Sequence, residues 1–319
     1  MRTEKPQLAI VIPCFNEELC VKSTIERLVE VINDLVLKNK ITNNSYIYLV
    51  DDGSKDNTWN IIEELHSKNN HVKGVKFIKN FGNQKALMAG LEGVRALGCD
   101  CVVTIDADLQ QDENAIENFV DAYMEGNEIV LGIRNDRKTD SIFKKMTALM
   151  FYRTMNLLGA SLPVNHSDYR LVSKKALEIM EMFPEKGFFL RGFFNELGLK
   201  TAKVNFNVKP RMAGESKFNF ASLMGLALNG ITSYSMVPLR VVTVIGLFMA
   251  LFAFLMGIEI VFEKIFLHNS PAGWATEVIL LCAFGGIQLF CLGIIGEYVG
   301  QLYREVKNRP RYIKDIELK

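Results

Sequence analysis

The sequence predicts an α/β protein with a mostly parallel sheet, followed by a helical hairpin long enough to cross a membrane. Short apolar, β-branched runs alternate with helical patterns through the first two hundred residues, which is typical of a parallel sheet covered by helices. Polar clusters follow the predicted strands, at the edge where such sheets bind ligands. Residues 241–258 and 278–296 contain no charged side chain, and with their flanks each can cross a hydrocarbon core of ~30 Å.

Composition disfavours several classes of protein. The formal net charge of +1 on 319 residues argues against nucleic acid as a partner. The six cysteines show neither zinc-type nor redox spacing, so we expect core residues in a reducing compartment. The sequence contains no glycine-rich dinucleotide fingerprint and no P-loop motif, which disfavours dinucleotide oxidoreductases and P-loop enzymes.

Five strands and four helices are predicted before residue 133. The strands are 8–12, 46–50, 72–78, 101–105 and 128–132, and the intervening helices end near residues 39, 68, 97 and 125. The polar clusters directly after the first four strands are Asn16-Glu17, Asp51-Asp52, Asn80 and the stretch 106–110. Turn chemistry alone explains any one cluster, but four clusters at one sheet edge favour a binding site.

The stretch after the fourth strand presents two carboxylates and an amide at alternating positions, Asp106, Asp108 and Gln110. Oxygen ligands of this kind suit Mg²⁺ or Mn²⁺, and such a cation usually brings a phosphorylated substrate with it. A polar turn after a strand is the alternative. The neighbouring polar clusters favour the metal site.

The pattern is less regular after the fifth strand. Arg134 and Arg137 belong to a basic cluster that is typical either of a solvated surface or of a phosphate-binding patch. His166 could be a general base, but a lone loop histidine is more often structural. Asp168 is the better candidate, because we predict that it closes a short strand ahead of a helix at 174–182.

We divide the chain into three parts. Residues 1–210 are the α/β domain, 211–236 are a loop and an amphipathic interfacial helix, and 237–319 are two transmembrane helices (about 240–262 and 276–298) with a basic tail. The loop carries Arg211, Ser216 and Lys217, which suit a clamp over phosphates beside the membrane. An ordinary loop before an amphipathic helix is the alternative.

The distribution of basic residues predicts the orientation in the membrane. The connector 263–277 has Lys264 as its single Lys or Arg, whereas Arg304, Lys307, Arg309 and further cations follow the second apolar run. The positive-inside rule then places both termini and the catalytic domain in the cytosol. Two buried core helices are the alternative to membrane spans.

These parts suggest one substrate from the cytosol and one from the lipid. A nucleotide-activated sugar, with its diphosphate on the metal, fits the first. A polyprenyl phosphate fits the second, because its head needs cations while its tail stays in the bilayer.

Several motifs resemble those of family 2 glycosyltransferases of the GT-A fold, and more narrowly the polyisoprenyl-phosphate glycosyltransferases. The motifs are Val11-Ile-Pro-Cys-Phe-Asn-Glu17, Val50-Asp-Asp-Gly-Ser54, Asp106-Ala-Asp-Leu-Gln110, Asp168-Tyr-Arg170 and Gly214-Glu-Ser-Lys217. Gly285-Gly-Ile-Gln, Gly296-Glu-Tyr-Val-Gly300 and Arg309-Pro-Arg-Tyr312 resemble the bactoprenol branch. The resemblance extends over nearly the whole chain.

The resemblance implies a role for each matching residue. Pro13, Phe15, Glu17 and Asp52 would hold the nucleoside, Asp106 would contact the ribose or the metal, and Asp108 and Gln110 would bind the metal. Arg134 and Arg137 would approach the lipid phosphate or the diphosphate, and Arg211, Ser216 and Lys217 would close from the membrane side. Asp168 would act as a base or position the acceptor.

The implied reaction moves a hexose, glucose from UDP-glucose in the first instance, onto undecaprenyl phosphate with inversion, as in O-antigen modification. N-acetylglucosamine, galactose, mannose and amino-arabinose remain alternative sugars. The Gln-x-x-Arg-Trp motif of processive synthases is absent, so a single transfer is expected. The resemblance also implies a plasma-membrane homo-tetramer. A non-catalytic scaffold or transport subunit is the alternative from another class, and the intact Asp106, Asp108 and Gln110 argue against it.

Overall fold

The computed structural model describes residues 2–135, 166–183, 190–209, 237–262, 266 and 273–319. The predicted interfacial helix and four predicted site residues, Arg137, Arg211, Ser216 and Lys217, lie outside the described residues. The strands are β1 (Leu8–Cys14), β2 (Tyr46–Asp51), β3 (Val72–Phe77), β4 (Cys101–Thr104), β5 (Ile129–Arg134), β6 (His166–Ser173), β7 (Thr201–Phe206) and β8 (Lys314–Leu318). The helices are α1 (Val21–Leu37), α2 (Thr58–Lys68), α3 (Asn83–Ala96), α4 (Ala115–Met124), α5 (Lys174–Glu181), α6 (Leu190–Glu196), α7 (Val237–Phe262) and α8 (Trp274–Val306).

The strands of the described residues form one mixed sheet in the order β7-β5-β6-β4-β1-β2-β3-β8. The pairs β1–β2, β1–β4, β2–β3 and β5–β7 are parallel. β6 is antiparallel to β4 and β5, and β8 is antiparallel to β3. The predicted fold class, an α/β domain with a mostly parallel sheet, is confirmed.

The predicted position of Asp168 at the end of a strand is wrong. Asp168 is the third residue of β6, which continues to Ser173. Because β6 is antiparallel to β4 and β5, the beginning of β6 lies where those two strands end. Asp168 therefore still lies at the predicted edge of the sheet, but near the beginning of its strand and not at its end.

Both faces of the sheet are covered, so the central strands are buried on both sides. Every residue of β1 is buried, as is typical of a strand with helices on both faces. Ile10 and Ile12 pack with α1, α2 and α4 on one face, whereas Ala9 and Val11 pack with α3, α5 and α6 on the other. This packing fixes the strand ends that carry the polar clusters.

The C-terminal residues return to the sheet, which the sequence analysis did not predict. β8 pairs with β3 so that Leu318 lies opposite Gly74 and Lys314 lies opposite Phe77. The amide of Ile78 also donates to the carbonyl of Ile313, at 3.2 Å. The beginning of β8 therefore lies beside the carboxyl end of β3.

Tyr312 and Arg311 attach this C-terminal segment to side chains of the domain. The ring of Tyr312 stacks on Phe77, with centroids 5.0 Å apart and planes 14° apart. The Tyr312 hydroxyl donates to Glu92, which also pairs with Arg311 at 2.8 Å. Burial is the main cause that raises the pKa of Tyr312, so this hydroxyl stays a donor at neutral pH.

We expect Tyr312→Ala to loosen β8, because it removes the stack on Phe77 and the hydrogen bond to Glu92. Together these contacts are worth about 2 kcal/mol, so amide exchange of residues 314–318 should quicken roughly 30-fold if it proceeds by local opening. Hydrogen–deuterium exchange of the detergent-solubilised protein measures this. Tyr303→Ala is the control, since Tyr303 is 58% exposed on α8. Equal exchange in both variants would contradict the assignment.

Helices α7 and α8 are long and apolar. Val237–Glu259 has a mean hydropathy of 2.6 and Ala283–Val306 has 1.4, and neither stretch is buried against the rest of the protein. Exposed apolar helices of this length do not fit the alternative of two core helices, because they would leave a large apolar surface in water. The two helices associate with a membrane.

Candidate active site

The carboxyl ends of β1, β2, β4 and β5 lie at one edge of the sheet, which we call the site edge. β2, β1 and β4 are parallel neighbours, and β5 runs in the direction of β4 because β6 lies antiparallel between them. The beginning of β6 reaches the same edge. The predicted site residues that lie on or just beyond these strand ends are Pro13, Phe15, Glu17, Asp52, Asp106, Asp108, Gln110, Arg134 and Asp168.

Residues 106–113 follow β4 and form what we call the carboxylate loop. Burial alternates along its first half: Asp106, Asp108 and Gln110 are half-buried, whereas Ala107 and Leu109 are buried in the core. The two carboxylates and the amide therefore share the accessible side of the loop. The role of these three side chains as metal ligands stays a prediction.

Side chains from outside the predicted ligand set hold this loop in place. The amide nitrogen of Gln111 donates to Asp106 Oδ2 at 2.6 Å, and its amide oxygen accepts from the backbone N–H of Asp106 at 3.0 Å. The hydroxyl of Thr24 on α1 donates to the carbonyl of Ala107 at 2.6 Å. Sequence reasoning missed Gln111, although its place directly after the alternating series was the available signal.

The residues on the accessible side fit a divalent cation held jointly with a phosphorylated substrate. No group of three or more His, Cys, Asp or Glu side chains suited to a metal occurs among the described residues, so an all-protein cage of such ligands is not formed there. Mg²⁺ is commonly bound through one or two carboxylates plus substrate phosphates. Asp106, Asp108 and Gln110 supply hard oxygen donors of that type.

The loops after β1 and β2 are joined by hydrogen bonds. The backbone N–H of Asn16 donates to Ser54 Oγ at 2.9 Å, and that of Glu17 donates to Thr58 Oγ1 at 2.8 Å. Phe15, beside them, is half-buried. These contacts bring the first two predicted polar clusters together in space.

Asp51 and Asp52, at the end of β2, have different surroundings. Asp52 accepts the backbone N–H groups of Phe81 at 2.6 Å and Gly82 at 2.8 Å, so it fixes the turn between β3 and α3. Asp51 is fully buried, and its Oδ2 has no hydrogen-bond partner within the described part of the chain. Burial raises the pKa of both carboxyls, more than their hydrogen bonds lower it.

Asp168 lies in a buried ion pair at the start of β6. Its Oδ1 is 2.5 Å from Arg170 Nη2, and the two side chains are 7% and 2% exposed. Arg170 also donates to the carbonyl of Leu190 at 2.9 Å and lies 5.4 Å from the ring of Phe194. A role for Asp168 as base or acceptor-positioning group stays a prediction.

Arg134 is the one residue of the predicted cationic set that lies within the described residues. It is the last residue of β5 and is exposed. It lies at the site edge, and its contact with a phosphate stays a prediction. The other predicted cations, Arg137, Arg211 and Lys217, lie outside the described ranges.

A mixed α/β sheet with this carboxylate loop at its edge, followed by two apolar helices, agrees with the sequence resemblance to membrane-bound glycosyltransferases of the GT-A fold. The profile described as Glycosyl transferase family 2 matches residues 9–180, and the profile described as GtrB C-terminal hairpin matches residues 237–302. The chain belongs to glycosyl transferase family 2.

Relatives resemble this chain along nearly its whole length. An uncharacterized glycosyltransferase, YkoT, of Bacillus subtilis is 45% identical over 318 residues, which cover 100% of this chain and 94% of the relative. The SfII prophage-derived bactoprenol glucosyl transferase of Shigella flexneri is 37% identical over 308 residues, which cover 96% of this chain and 97% of the relative. The prophage bactoprenol glucosyl transferase homolog of Escherichia coli is 36% identical over 311 residues, which cover 96% of this chain and 98% of the relative.

Proposed function

We propose that this protein transfers a hexose from a nucleotide sugar to a polyisoprenyl phosphate in the membrane, with glucose from UDP-glucose as the favoured donor. The observation that carries the proposal is the short connection from the apolar helix α8 to β8, which belongs to the same sheet as the carboxylate loop. Relatives named bactoprenol glucosyl transferase support the same lipid class and sugar. The matched hairpin profile at residues 237–302 supports a membrane-bound acceptor.

The path from α8 to β8 keeps the site edge close to the bilayer. Residues 307–313 join the two elements, and a fully extended chain of that length spans no more than ~25 Å. Lys314, at the beginning of β8, lies opposite Phe77 at the carboxyl end of β3, which is the edge shared with the carboxylate loop. A lipid phosphate at the membrane surface can therefore meet a sugar held at this edge.

The same connection supports the proposed orientation. β8 belongs to the catalytic sheet, so the end of α8 lies on the membrane side that faces the domain. Arg304, Lys307 and Arg309 surround that helix end, and the positive-inside rule assigns such cations to the cytosol. Two membrane-spanning helices with both termini in the cytosol satisfy these constraints. The tetrameric state stays a prediction.

The carboxylate loop would hold Mg²⁺ or Mn²⁺ through Asp106, Asp108 and Gln110. When bound, the cation would supply Lewis-acid stabilisation of the departing diphosphate. Asp106 is held by Gln111 before any substrate arrives, which limits the reorganisation needed during the reaction. Pro13, Phe15, Glu17, Asp52 and Ser216 would bind the donor.

The acceptor phosphate would approach from the membrane side. Arg134 and Arg137 would bind it or the diphosphate, and Arg211 and Lys217 would close over it. A phosphate oxygen is already anionic at neutral pH, so it can attack the anomeric carbon directly, with inversion. Asp168 would then act by positioning the acceptor or by accepting a proton.

Sugar transfer by the purified protein tests this function. We expect labelled glucose to pass from UDP-glucose to undecaprenyl phosphate in the presence of Mn²⁺. Nucleotide sugars that carry N-acetylglucosamine, galactose, mannose or amino-arabinose should be poorer donors. If the protein transfers only a sugar other than glucose, that sugar replaces glucose in the proposal. No transfer from any donor would contradict the enzyme and favour the scaffold.

A further inference from the structure

Glu113, the last residue of the carboxylate loop, lies in an ion-pair cluster that the proposed reaction does not use. Its side chain is 5% exposed and lies between two cations: Oε1 is 3.0 Å from Arg27 Nε on α1, and Oε2 is 2.6 Å from Lys209 Nζ. Arg27 and Lys209 are 43% and 41% exposed. A buried carboxylate is thus neutralised from two sides by half-exposed cations.

The two cations keep Glu113 ionised. Burial by itself opposes ionisation, but the hydrogen bonds from Lys209 and Arg27 outweigh it, and the pKa of Glu113 is lowered. Loss of Lys209 would leave the buried carboxylate of Glu113 with one cation instead of two, and a buried charge that loses a partner costs more than the loss of a surface pair. The cluster therefore strongly favours one arrangement of the three side chains.

Lys209 is also bound to the carboxylate loop through its backbone. Its N–H donates to the carbonyl of Gln110 at 2.8 Å, and the preceding residue, Val208, forms an antiparallel bridge with Gln111. Lys209 Nζ makes a second ion pair, to Asp112 Oδ1 at 3.2 Å. The residues after β7 therefore run along the carboxylate loop and contact residues 110–113.

We propose that Glu113 is a positioning residue for the metal-binding side of the carboxylate loop. Through Lys209 it holds the chain after β7 against Gln110 and Gln111, and Gln111 in turn holds the carboxylate of Asp106. Residues in such supporting positions orient metal ligands without touching the metal. This inference rests on the proposed metal site at Asp106, Asp108 and Gln110.

The test compares Mn²⁺ binding by the wild type, Glu113→Gln and Lys209→Met. Free Mn²⁺ is measured by electron paramagnetic resonance of the full-length protein in detergent with saturating UDP, so the readout does not depend on turnover. We expect about tenfold weaker Mn²⁺ binding in each variant, since loss of a supporting contact typically costs 10–100-fold. The double variant should bind little worse than either single one, because both remove the same interaction.

Lys40→Met is the matched control for a general loss of stability. Lys40 pairs with Glu117 and Asp121 at 2.9 and 2.6 Å, away from the carboxylate loop. The Lys40→Met variant should therefore bind Mn²⁺ as tightly as the wild type. Thermal unfolding without metal confirms that each variant is folded. If Glu113→Gln unfolds, Lys209→Met is compared with Lys209→Arg, which keeps the cation beside Glu113 and Asp112, and stronger Mn²⁺ binding in Lys209→Arg than in Lys209→Met supports the proposal.

The possible failures are distinguishable. If the wild type binds Mn²⁺ and the folded variants bind it equally well, the positioning role is wrong and the proposed metal site stands. If the wild type binds no Mn²⁺ in the presence of UDP, the metal site itself is wrong, and the role of Glu113 falls with it. Weakened binding in Lys40→Met to the same degree would also overturn the positioning role.

Discussion

Replacing Asp108 with Asn is expected to lower sugar transfer to the lipid acceptor by about a thousandfold. The substitution keeps the shape of the side chain but removes the negative charge that would hold the divalent cation. Stabilisation of the leaving diphosphate by a metal is worth several kcal/mol, and ~4 kcal/mol corresponds to three orders of magnitude in rate. Transfer of radiolabelled sugar to undecaprenyl phosphate, measured with purified protein and Mn²⁺, gives the rate.

Asp34→Asn is the control for Asp108→Asn. Asp34 lies on α1, is 58% exposed and pairs with Lys38 at 2.8 Å, so its loss should leave the rate unchanged. A rate for Asp108→Asn within a few fold of the wild type would remove Asp108 from the metal site. The unfolding temperature without metal should stay near that of the wild type in both variants, because Asp108 is only half-buried.

Replacing Arg170 with Met is expected to have the largest effect on stability. Arg170 is fully buried, and its removal breaks the buried ion pair with the carboxylate of Asp168. Breaking a buried ion pair in this way costs about 3–5 kcal/mol. The hydrogen bond to the carbonyl of Leu190 and the contact with the ring of Phe194 are lost as well. Denaturant unfolding of the solubilised protein measures the difference in free energy.

Two further variants separate the structural role of the pair from the predicted catalytic role of Asp168. Asp168→Asn keeps a hydrogen-bonding group beside Arg170. If Asp168 serves the reaction, the rate of sugar transfer in this variant should fall by more than the loss of folded protein accounts for. Arg170→Met combined with Asp168→Leu should recover much of the lost stability, because a well-packed apolar pair often replaces a buried ion pair. A loss of less than about 1 kcal/mol in Arg170→Met would contradict a stabilising role for the pair.

The local pattern of the sequence predicted the first five strands of the catalytic sheet closely. The run at 8–12 predicted β1, which extends to Cys14, and the apolar run at 101–105 predicted β4. The stretch after the fourth predicted strand was expected to bring Asp106, Asp108 and Gln110 to the edge of the sheet, and the structure places them there. These features follow from side-chain periodicity along a few residues, so they can be predicted without knowledge of distant contacts.

Strand pairing could not be predicted in the same way. The residues 166–173 gave no sign that they would run antiparallel between β4 and β5, and Asp168 was therefore placed at the wrong end of its strand. β8 contains Lys314, Asp315 and Glu317 and is mostly exposed, so it lacks the apolar pattern of the other strands. Its place in the sheet comes from pairing with β3 and from the contact of Tyr312 with Phe77.

The sequence by itself determined the α/β class, the polar side chains at the site edge and the two apolar helices, because each is encoded in short-range composition and spacing. The tertiary structure alone decided which distant groups hold those side chains and how the domain joins the apolar helices. Glu113 and Lys209 are 96 residues apart, and Tyr312 and Glu92 are 220 apart. Pairs of this kind form only when the packed sheet brings their elements together, and a polar residue at one end carries no local sign of its partner.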